Sequence, residues 1–245
     1  MSSFQLTGIP AAAGLTAFAT ETSPSWAPGS VQFDTNGDKY RYVMAISAVS
    51  AGHLVQAPTP LTTAAKSVAV NTAAVGDTSV TITAGAQAIA ANAYAGGTLV
   101  VVTGTAIGDA YPIVGNTAIT AAGGSVTVLL GSPIRSAFGA SDTVTLAHEP
   151  ANGVQEVASS TLQPVGIALS DIAAASFGWV KCWGVIGALA DENLTLGALL
   201  TSGTSTAGTV EEYDDDSTPD TDNIVGFAVF SANDGETQPI FVTIG

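Results

Sequence analysis

The sequence predicts an all-β protein, a β-barrel or sandwich with an inserted β-rich second domain and an extended N-terminal arm. Short runs of alternating apolar and polar residues recur along the chain, and glycine-rich turns separate them. The composition agrees, because 47% of the residues are hydrophobic, only 10% are charged, and Ala, Val, Thr and Gly dominate. Small and β-branched residues of this kind suit pleated, tightly turned structure.

Residues 1–30 are predicted to form an extended arm, because prolines interrupt a stretch of Ser, Thr and Ala that shows no sustained period. A short strand is expected within the arm at Phe4–Leu6. Residues 31–60 are assigned to the first hairpin of the barrel. In VQFDTNGDKYRYV (31–43), Asn36-Gly37 lies between two strand-like runs, and both residues tolerate the positive φ of a tight hairpin turn.

Residues 61–150 are predicted to form an inserted β domain. Alternating runs separated by glycines each suit a strand. These runs are Ser79–Thr83, Leu99–Val102, Ser125–Leu129 and Thr143–Leu146. The Ala-rich stretch Ala86–Ala95 fits a short helix and an irregular connection equally well.

Residues 151–245 are assigned to a C-terminal β-barrel with longer aromatic strands such as Phe177–Trp183. Two internal echoes suggest repeated hairpins. The echoes pair Val165–Ala168 with Val225–Ala228, and Tyr40–Val43 plus Gly52–Val55 with Trp179–Trp183 plus Gly197–Leu200. They favour one barrel made of 31–60 and 151–245, with 61–150 inserted between the two parts.

The charge distribution argues against a nucleic-acid partner. The net charge is −15, from five Lys and Arg against 20 Asp and Glu, whereas phosphate contacts need clustered basic residues. The five cations are scattered at Lys39, Arg41, Lys66, Arg135 and Lys181. No apolar run approaches the roughly 20 residues of a membrane helix, and no basic residue precedes the apolar N-terminal part, so neither a membrane partner nor a secretory signal is predicted.

Asp34, Asn36 and Asp38 raise the question of a calcium loop. An EF-hand loop closes with a bidentate Glu at its twelfth position. Counting from Asp34, that position is the apolar Ala45. A plain hairpin turn is therefore favoured, and an irregular calcium site is the alternative.

A second acidic segment is Glu211–Asp216, followed by Asp220 and Asp222. Carboxylates crowded this closely repel one another, so they either bind a hard cation or lie solvated in a loop. The solvated loop, crossing between two strands, is the favoured interpretation, with the cation site as the alternative.

His53 and His148 are the only histidines, and Cys182 is the only cysteine. No familiar two-His metal motif exists, and a single cysteine excludes an intrachain disulfide. The histidines are interpreted as structural and Cys182, which lies between Lys181 and Trp183 in an apolar strand, as a buried inert thiol. A Ser-His-Asp triad stays open, since its members need only meet in space, but no Gly-x-Ser-x-Gly elbow occurs.

No catalytic residue, cofactor-binding residue or metal ligand is therefore assigned. The sequence contains no phosphate-binding loop, and no pair of catalytic carboxylates stands out among the 20 acids. We predict that the protein is not an enzyme and needs no cofactor.

The order of the strand-like elements resembles that of the small β-barrel head decoration (capsid cement) proteins of tailed bacteriophages. The shared pattern is a Gly-Ile-Ala-like strand, a Gly-x-Val strand, a Gly-led strand, a second Val-Gly-x-Ala and a closing strand. Here these elements are Gly166–Ala168, Phe177–Gly184, Leu196–Leu200, Ile224–Ala228 and Ile240–Ile244. The stretches 37–55 and 95–119 are also similar to virion structural proteins of environmental phages.

The resemblance implies a structural protein of the virion on the capsid exterior, a homotrimer that clamps neighbouring capsomers of the major capsid protein. The stretch 61–150 departs from the family pattern, because it is much larger than the minimal decoration barrel. Either an outward-facing second domain or a wider contact with the shell is expected there. A tail or fibre component for host attachment is the alternative. Trp26, Trp179 and Trp183 are too few and too separated in sequence to indicate a carbohydrate-binding cluster.

Overall fold

The structure is a computed structural model that describes residues 18–120, 123–139, 141–157, 162–214 and 223–245. The expected strand Phe4–Leu6 lies outside the described residues. Within the described part of the arm, Glu21 forms an antiparallel bridge with Phe177. The chain divides into two compact units, one of Met1–Pro58 with Gly153–Gly245 and one of Thr59–Asn152.

The described residues form sixteen strands and no helix, which confirms the all-β prediction. In chain order the strands are β1 (Val31–Phe33), β2 (Lys39–Ala45), β3 (Leu54–Gln56), β4 (Val68–Ala69), β5 (Ser79–Thr83), β6 (Thr98–Thr103), β7 (Ala110–Asn116), β8 (Ser125–Leu130), β9 (Thr143–Ala147), β10 (Asn152–Glu156), β11 (Pro164–Ala168), β12 (Ser176–Leu189), β13 (Leu199–Ser202), β14 (Val210–Glu212), β15 (Gly226–Ala228) and β16 (Thr237–Thr243). This part of the chain consequently offers no helix long and apolar enough to cross a membrane.

Five strands of the first unit close into a barrel, named here the first barrel. Their order is β2-β10-β3-β11-β12, and β12 pairs back to β2. The closing pair is antiparallel, with Trp179 opposite Tyr42. On the other side of β2, the Ile46 N–H donates to the Val154 carbonyl of β10 at 3.0 Å. A ring of this size is filled by its own inward side chains.

Strand β12 is 14 residues long, and its second half begins another ring, named here the second barrel. Pairing continues from β12 through β16, β15, β13 and β14. The ring returns to the end of β12, because the Asp191 N–H donates to the Val210 carbonyl at 2.9 Å and Ala190 bridges Val210. One strand therefore belongs to both barrels.

The same kind of corner occurs in both barrels. In the first barrel Val49 and Ile172 exchange two backbone hydrogen bonds, at 2.9 and 2.8 Å, and in the second Leu194 and Ala232 do so at 2.9 and 3.1 Å. The residue three positions after each of these four has a positive φ angle. Its backbone N–H donates to a carbonyl of the same barrel at 2.8–3.0 Å. The four turning residues are Gly52, Ala175, Gly197 and Gly235.

The barrels also match in register, so they are internal repeats. The strand registers make four pairs of positions equivalent, and in each pair the first residue belongs to the first barrel. The pairs are Tyr40 and Val185, Lys181 and Phe241, Ile167 and Phe227, and Leu54 and Leu199. A side-chain contact repeats as well. Glu156 accepts the Ser50 N–H in the first barrel, and Glu212 accepts the Thr195 N–H in the second.

The echo between Val165–Ala168 and Val225–Ala228 is a structural repeat, and the other echo is partly wrong. Gly52–Val55 does match Gly197–Leu200, but Tyr40–Val43 is equivalent to Val185–Ala188 and not to Trp179–Trp183. The Trp179–Trp183 segment is instead the neighbour paired with Tyr40–Val43. Both segments are aromatic because they pack on each other across the strands: the Tyr42 and Trp179 rings lie 5.1 Å apart.

The second unit is one six-stranded sheet of order β4-β9-β6-β7-β8-β5. A bridge between Val70 and Ile82 nearly closes it into a barrel, and its core consists of aliphatic residues with Tyr94, Tyr111 and Phe138. Ala86–Ala95 is not helical. Its backbone instead forms turns and a bridge between Ile89 and Ile119. These two residues are far apart in sequence, so local helix propensity does not predict their contact.

Replacing Ala175 by Gly is expected to stabilise the protein, whereas replacing the equivalent Gly235 by Ala is expected to destabilise it. The φ angles are 56° at Ala175 and 74° at Gly235. A left-handed conformation costs an L residue about 1–2 kcal/mol, and the backbone entropy of glycine offsets about 0.5–1 kcal/mol of this. A Cβ at Gly235 meets no atom within 4 Å, so the backbone alone decides.

Urea denaturation measures both changes as differences in the free energy of unfolding. We expect about 0.5–1 kcal/mol for each, with opposite signs. Two changes of the same sign would contradict the corner geometry.

Candidate interaction surface

The loop Asp34–Asp38 is the turn of the β1–β2 hairpin, with Val31 opposite Arg41 and Phe33 opposite Lys39. The buried Asp34 organises the turn. Its Oδ1 accepts the N–H groups of Asn36 at 2.8 Å and Asp38 at 2.9 Å. These contacts are an Asx turn, the role that short polar side chains commonly take beside glycine.

The second carboxylate of the loop is held by a cation. Lys181 Nζ lies 2.5 Å from Asp38 Oδ2, donates to the Val185 carbonyl at 2.9 Å, and sits 5.2 Å from the centre of the Tyr40 ring. The Tyr40 hydroxyl in turn donates to Asp34 at 3.3 Å. Burial, together with the charges of Asp34 and Asp38, raises the pKa of Tyr40 well above its usual range. Asp38 thus ties the hairpin to β12, and Asp34 holds the hairpin together.

The acidic segment is described up to Asp214, and Asp215–Asp222 lies outside the described residues. Glu211 accepts the N–H and the hydroxyl of Thr204, both at 3.0 Å. Burial raises the pKa of Glu211, and the neighbouring charges of Asp191 and Glu192 add to the rise. Among the described residues no three His, Cys, Asp or Glu side chains form a group suited to a metal ion.

The two histidines lie in different units. His53 Nδ1 is 3.0 Å from Glu156 Oε1, the same oxygen that accepts the Ser50 N–H at the corner of the first barrel. His148 stacks on Tyr94 with ring centres 4.1 Å apart. Burial lowers the pKa of His148 and favours its neutral form.

Cys182 is fully buried in β12, where its Sγ–H donates to the Val165 carbonyl at 3.2 Å. Burial raises the pKa of this thiol to about 11, although Arg41 and Lys39 lie close enough to oppose the rise. A thiol held in its protonated form is a poor nucleophile.

The most conspicuous surface feature is an apolar row on the outer face of the second barrel, named here the aromatic strip. Val185 lies opposite Phe241, Phe241 opposite Phe227, and Phe227 opposite Leu199, so the row crosses four strands. Trp183 adjoins it, with its ring 5.5 Å from that of Phe241 at 84°. Phe227 and Phe241 stack at 5.1 Å and 9°.

The aromatic strip is open to solvent. The exposed fractions are 46% for Trp183, 49% for Val185, 39% for Phe227 and 52% for Leu199. Contiguous apolar patches of this kind on soluble domains mark contacts with other molecules, and aromatic residues are enriched in protein interfaces.

The two ends of the strip carry opposite charges. At one end Trp183 lies opposite Lys39 of β2, and Arg41 donates to the Gly245 carbonyl nearby. At the other end the Tyr213 N–H donates to Leu199, and the exposed Asp214 follows.

Sequence reasoning missed this surface. It treated Trp183 only as one of three separated tryptophans, whereas the structure supplies its partners from phenylalanines of β15 and β16. Trp179 is buried and Trp26 packs with it in a different cluster. The available signal was the repeat itself, since Ile167 in one copy is replaced by Phe227 in the other.

Comparison with known proteins adds no relative. No family model matches the chain, and neither a curated protein nor a solved structure does. The geometry of the described residues and the family resemblance of the strand pattern are therefore the basis for a function.

Replacing Lys181 by Met is expected to destabilise the protein by about 2 kcal/mol, because Asp38 then lacks its cation and the Val185 carbonyl its donor. The expected loss is below that of a fully buried pair, since 25% of the Asp38 side chain is exposed. Lys66→Met at an exposed lysine is the control and should change the free energy of unfolding by less than about 0.5 kcal/mol. Equal effects in urea denaturation would contradict this role of Lys181.

Cys182 is expected to resist alkylation by iodoacetamide at neutral pH and to react once the protein is unfolded in urea. The reason is its burial, which both blocks access and keeps the thiol protonated. Mass spectrometry of the labelled chain measures the reaction. Rapid labelling of the folded protein would show that β12 opens locally.

Proposed function

We propose that the protein is a structural component of a virus particle that decorates and stabilises the outer surface of a tailed-phage capsid. It acts as a homotrimer that bridges neighbouring capsomers of the major capsid protein. The observation that supports this most is the aromatic strip of Val185, Leu199, Phe227 and Phe241 with Trp183, because an exposed apolar row on a rigid sheet is suited to holding another protein.

The architecture supports a mechanical role. Both barrels close their own hydrogen-bonding rings and share β12, so a pull on one barrel is transmitted through a paired strand to the other. A bridging protein needs such a path, because it must resist the separation of the subunits that it joins. The ion pair between Lys181 and Asp38 ties the first hairpin to the same strand.

The charge of the chain supports a protein partner with basic patches. A net charge of −15 favours encounter with a basic shell surface, and complementarity of this kind contributes more to specificity and association rate than to affinity. The same charge disfavours contact with packaged nucleic acid.

Particles assembled with and without this protein test the proposal. Particles that lack it are expected to rupture at lower temperature and to tolerate low ionic strength less well, since the bridges between capsomers are missing. Electron microscopy of complete particles should show its density on the capsid exterior, around local three-fold positions.

Unchanged particle stability would contradict the proposal. Density on the tail instead of the capsid would favour the alternative function, a tail or fibre component for host attachment.

A further inference from the structure

We propose that the aromatic strip is the surface on which a second copy of this chain docks. This inference goes beyond the proposed function, because a contact between two strips is two-fold: it pairs one copy with a second and is separate from the contacts that would build the homotrimer. Its evidence is a difference between the two barrels of the same chain.

The face equivalent to the aromatic strip is fully covered in the first barrel. The equivalents of Val185, Phe241, Phe227 and Leu199 are Tyr40, Lys181, Ile167 and Leu54. None of these four is more than 7% exposed, and Ile167 and Leu54 are completely buried. The same position in the same fold is therefore buried in one copy and open in the other.

The second barrel and its loops supply part of this cover. The Leu54 N–H donates to the Gly208 carbonyl at 2.7 Å, and Lys181 Nζ donates to the Val185 carbonyl at 2.9 Å. A Cβ placed on Gly52 would lie 3.4 Å from the Gly187 carbonyl oxygen.

The second barrel has no such cover among the described residues at the same corner. A Cβ placed on Gly197, the equivalent of Gly52, would meet nothing within 4 Å, and Leu199 is 52% exposed where its equivalent Leu54 is buried. Among the described residues, the corner that the second barrel covers in the first repeat is therefore open in the second repeat. A barrel of the same fold is what a second copy brings.

The charges at the ends of the strip favour the same occupant. Lys39 lies beside Trp183 at one end and Asp214 follows Tyr213 at the other. Two strips packed in opposite directions bring each Lys39 towards the Asp214 of the other copy. Because the chain carries −15 overall, two copies repel each other at long range, and this pairing of Lys39 with Asp214 offsets part of that repulsion.

The purified full-length protein tests the inference by light scattering and sedimentation across a concentration series. The strip variant carries Val185→Lys and Leu199→Lys. The matched control carries Val75→Lys and Ile107→Lys, which also change two exposed aliphatic residues and add the same charge. Thermal melting of each variant verifies that it is folded.

We expect the wild type and the control to associate and the strip variant to associate at least about 30-fold more weakly, the loss typical of removing an interface hot spot. Lys39→Glu should also weaken association, and adding Asp214→Lys to it should restore association. A wild type that stays monomeric throughout the series, or a folded strip variant that associates as the wild type does, would overturn the inference. A failed charge restoration would overturn the antiparallel arrangement of the strips.

These outcomes are separate from those of the proposed function. A monomeric protein that still decorates and stabilises particles would overturn this inference alone. A protein that associates through the strip but is missing from particles would overturn the proposed function alone.

Discussion

Strand β12 is the constraint on which the rest of the first unit depends. Its first half pairs with β2 and β11 to complete one barrel, and its second half pairs with β16 to begin the other. The register to β2 shifts between Lys181 and Trp183, a β-bulge, and Gly184 follows with a φ of 110°. Bulges bend a strand and increase its twist. This local irregularity lets one continuous strand serve two closed rings.

Sharing one strand also explains why the repeats diverge in chemistry. A residue at one position faces a neighbouring barrel in the first copy and solvent in the second. Lys181 is tolerated in the buried position because Asp38, the Val185 carbonyl and the Tyr40 ring surround its ammonium group. Its equivalent Phe241 needs no counter-ion and instead stacks on Phe227. The backbone architecture is duplicated, while the type of side chain at each equivalent position depends on whether that position is buried or exposed.

Much of the fold was predictable because it follows from local patterns. Alternation identified strands such as Ser79–Thr83, and Asn36-Gly37 identified the first hairpin turn. The Ala-rich stretch Ala86–Ala95 was ambiguous, because its conformation is set by a bridge to Ile119 that no local pattern encodes. The similarity of Tyr40–Val43 to Trp179–Trp183 was misread as a repeat, since aromatic residues paired across two strands resemble each other as much as repeated ones do.

The sequence by itself determined that the chain is all-β and where many of its strands lie. It also determined that Asp34–Asp38 is a turn, because Ala45 stands where a calcium loop needs its closing Glu. Only the tertiary structure decided which of two equivalent leucines is exposed. Gly52-His53-Leu54-Val55 and Gly197-Ala198-Leu199-Leu200 are nearly the same local signal, yet Leu54 is buried and Leu199 is half exposed. Burial depends on whether another barrel packs over the residue, and that is settled by partners far away in the chain.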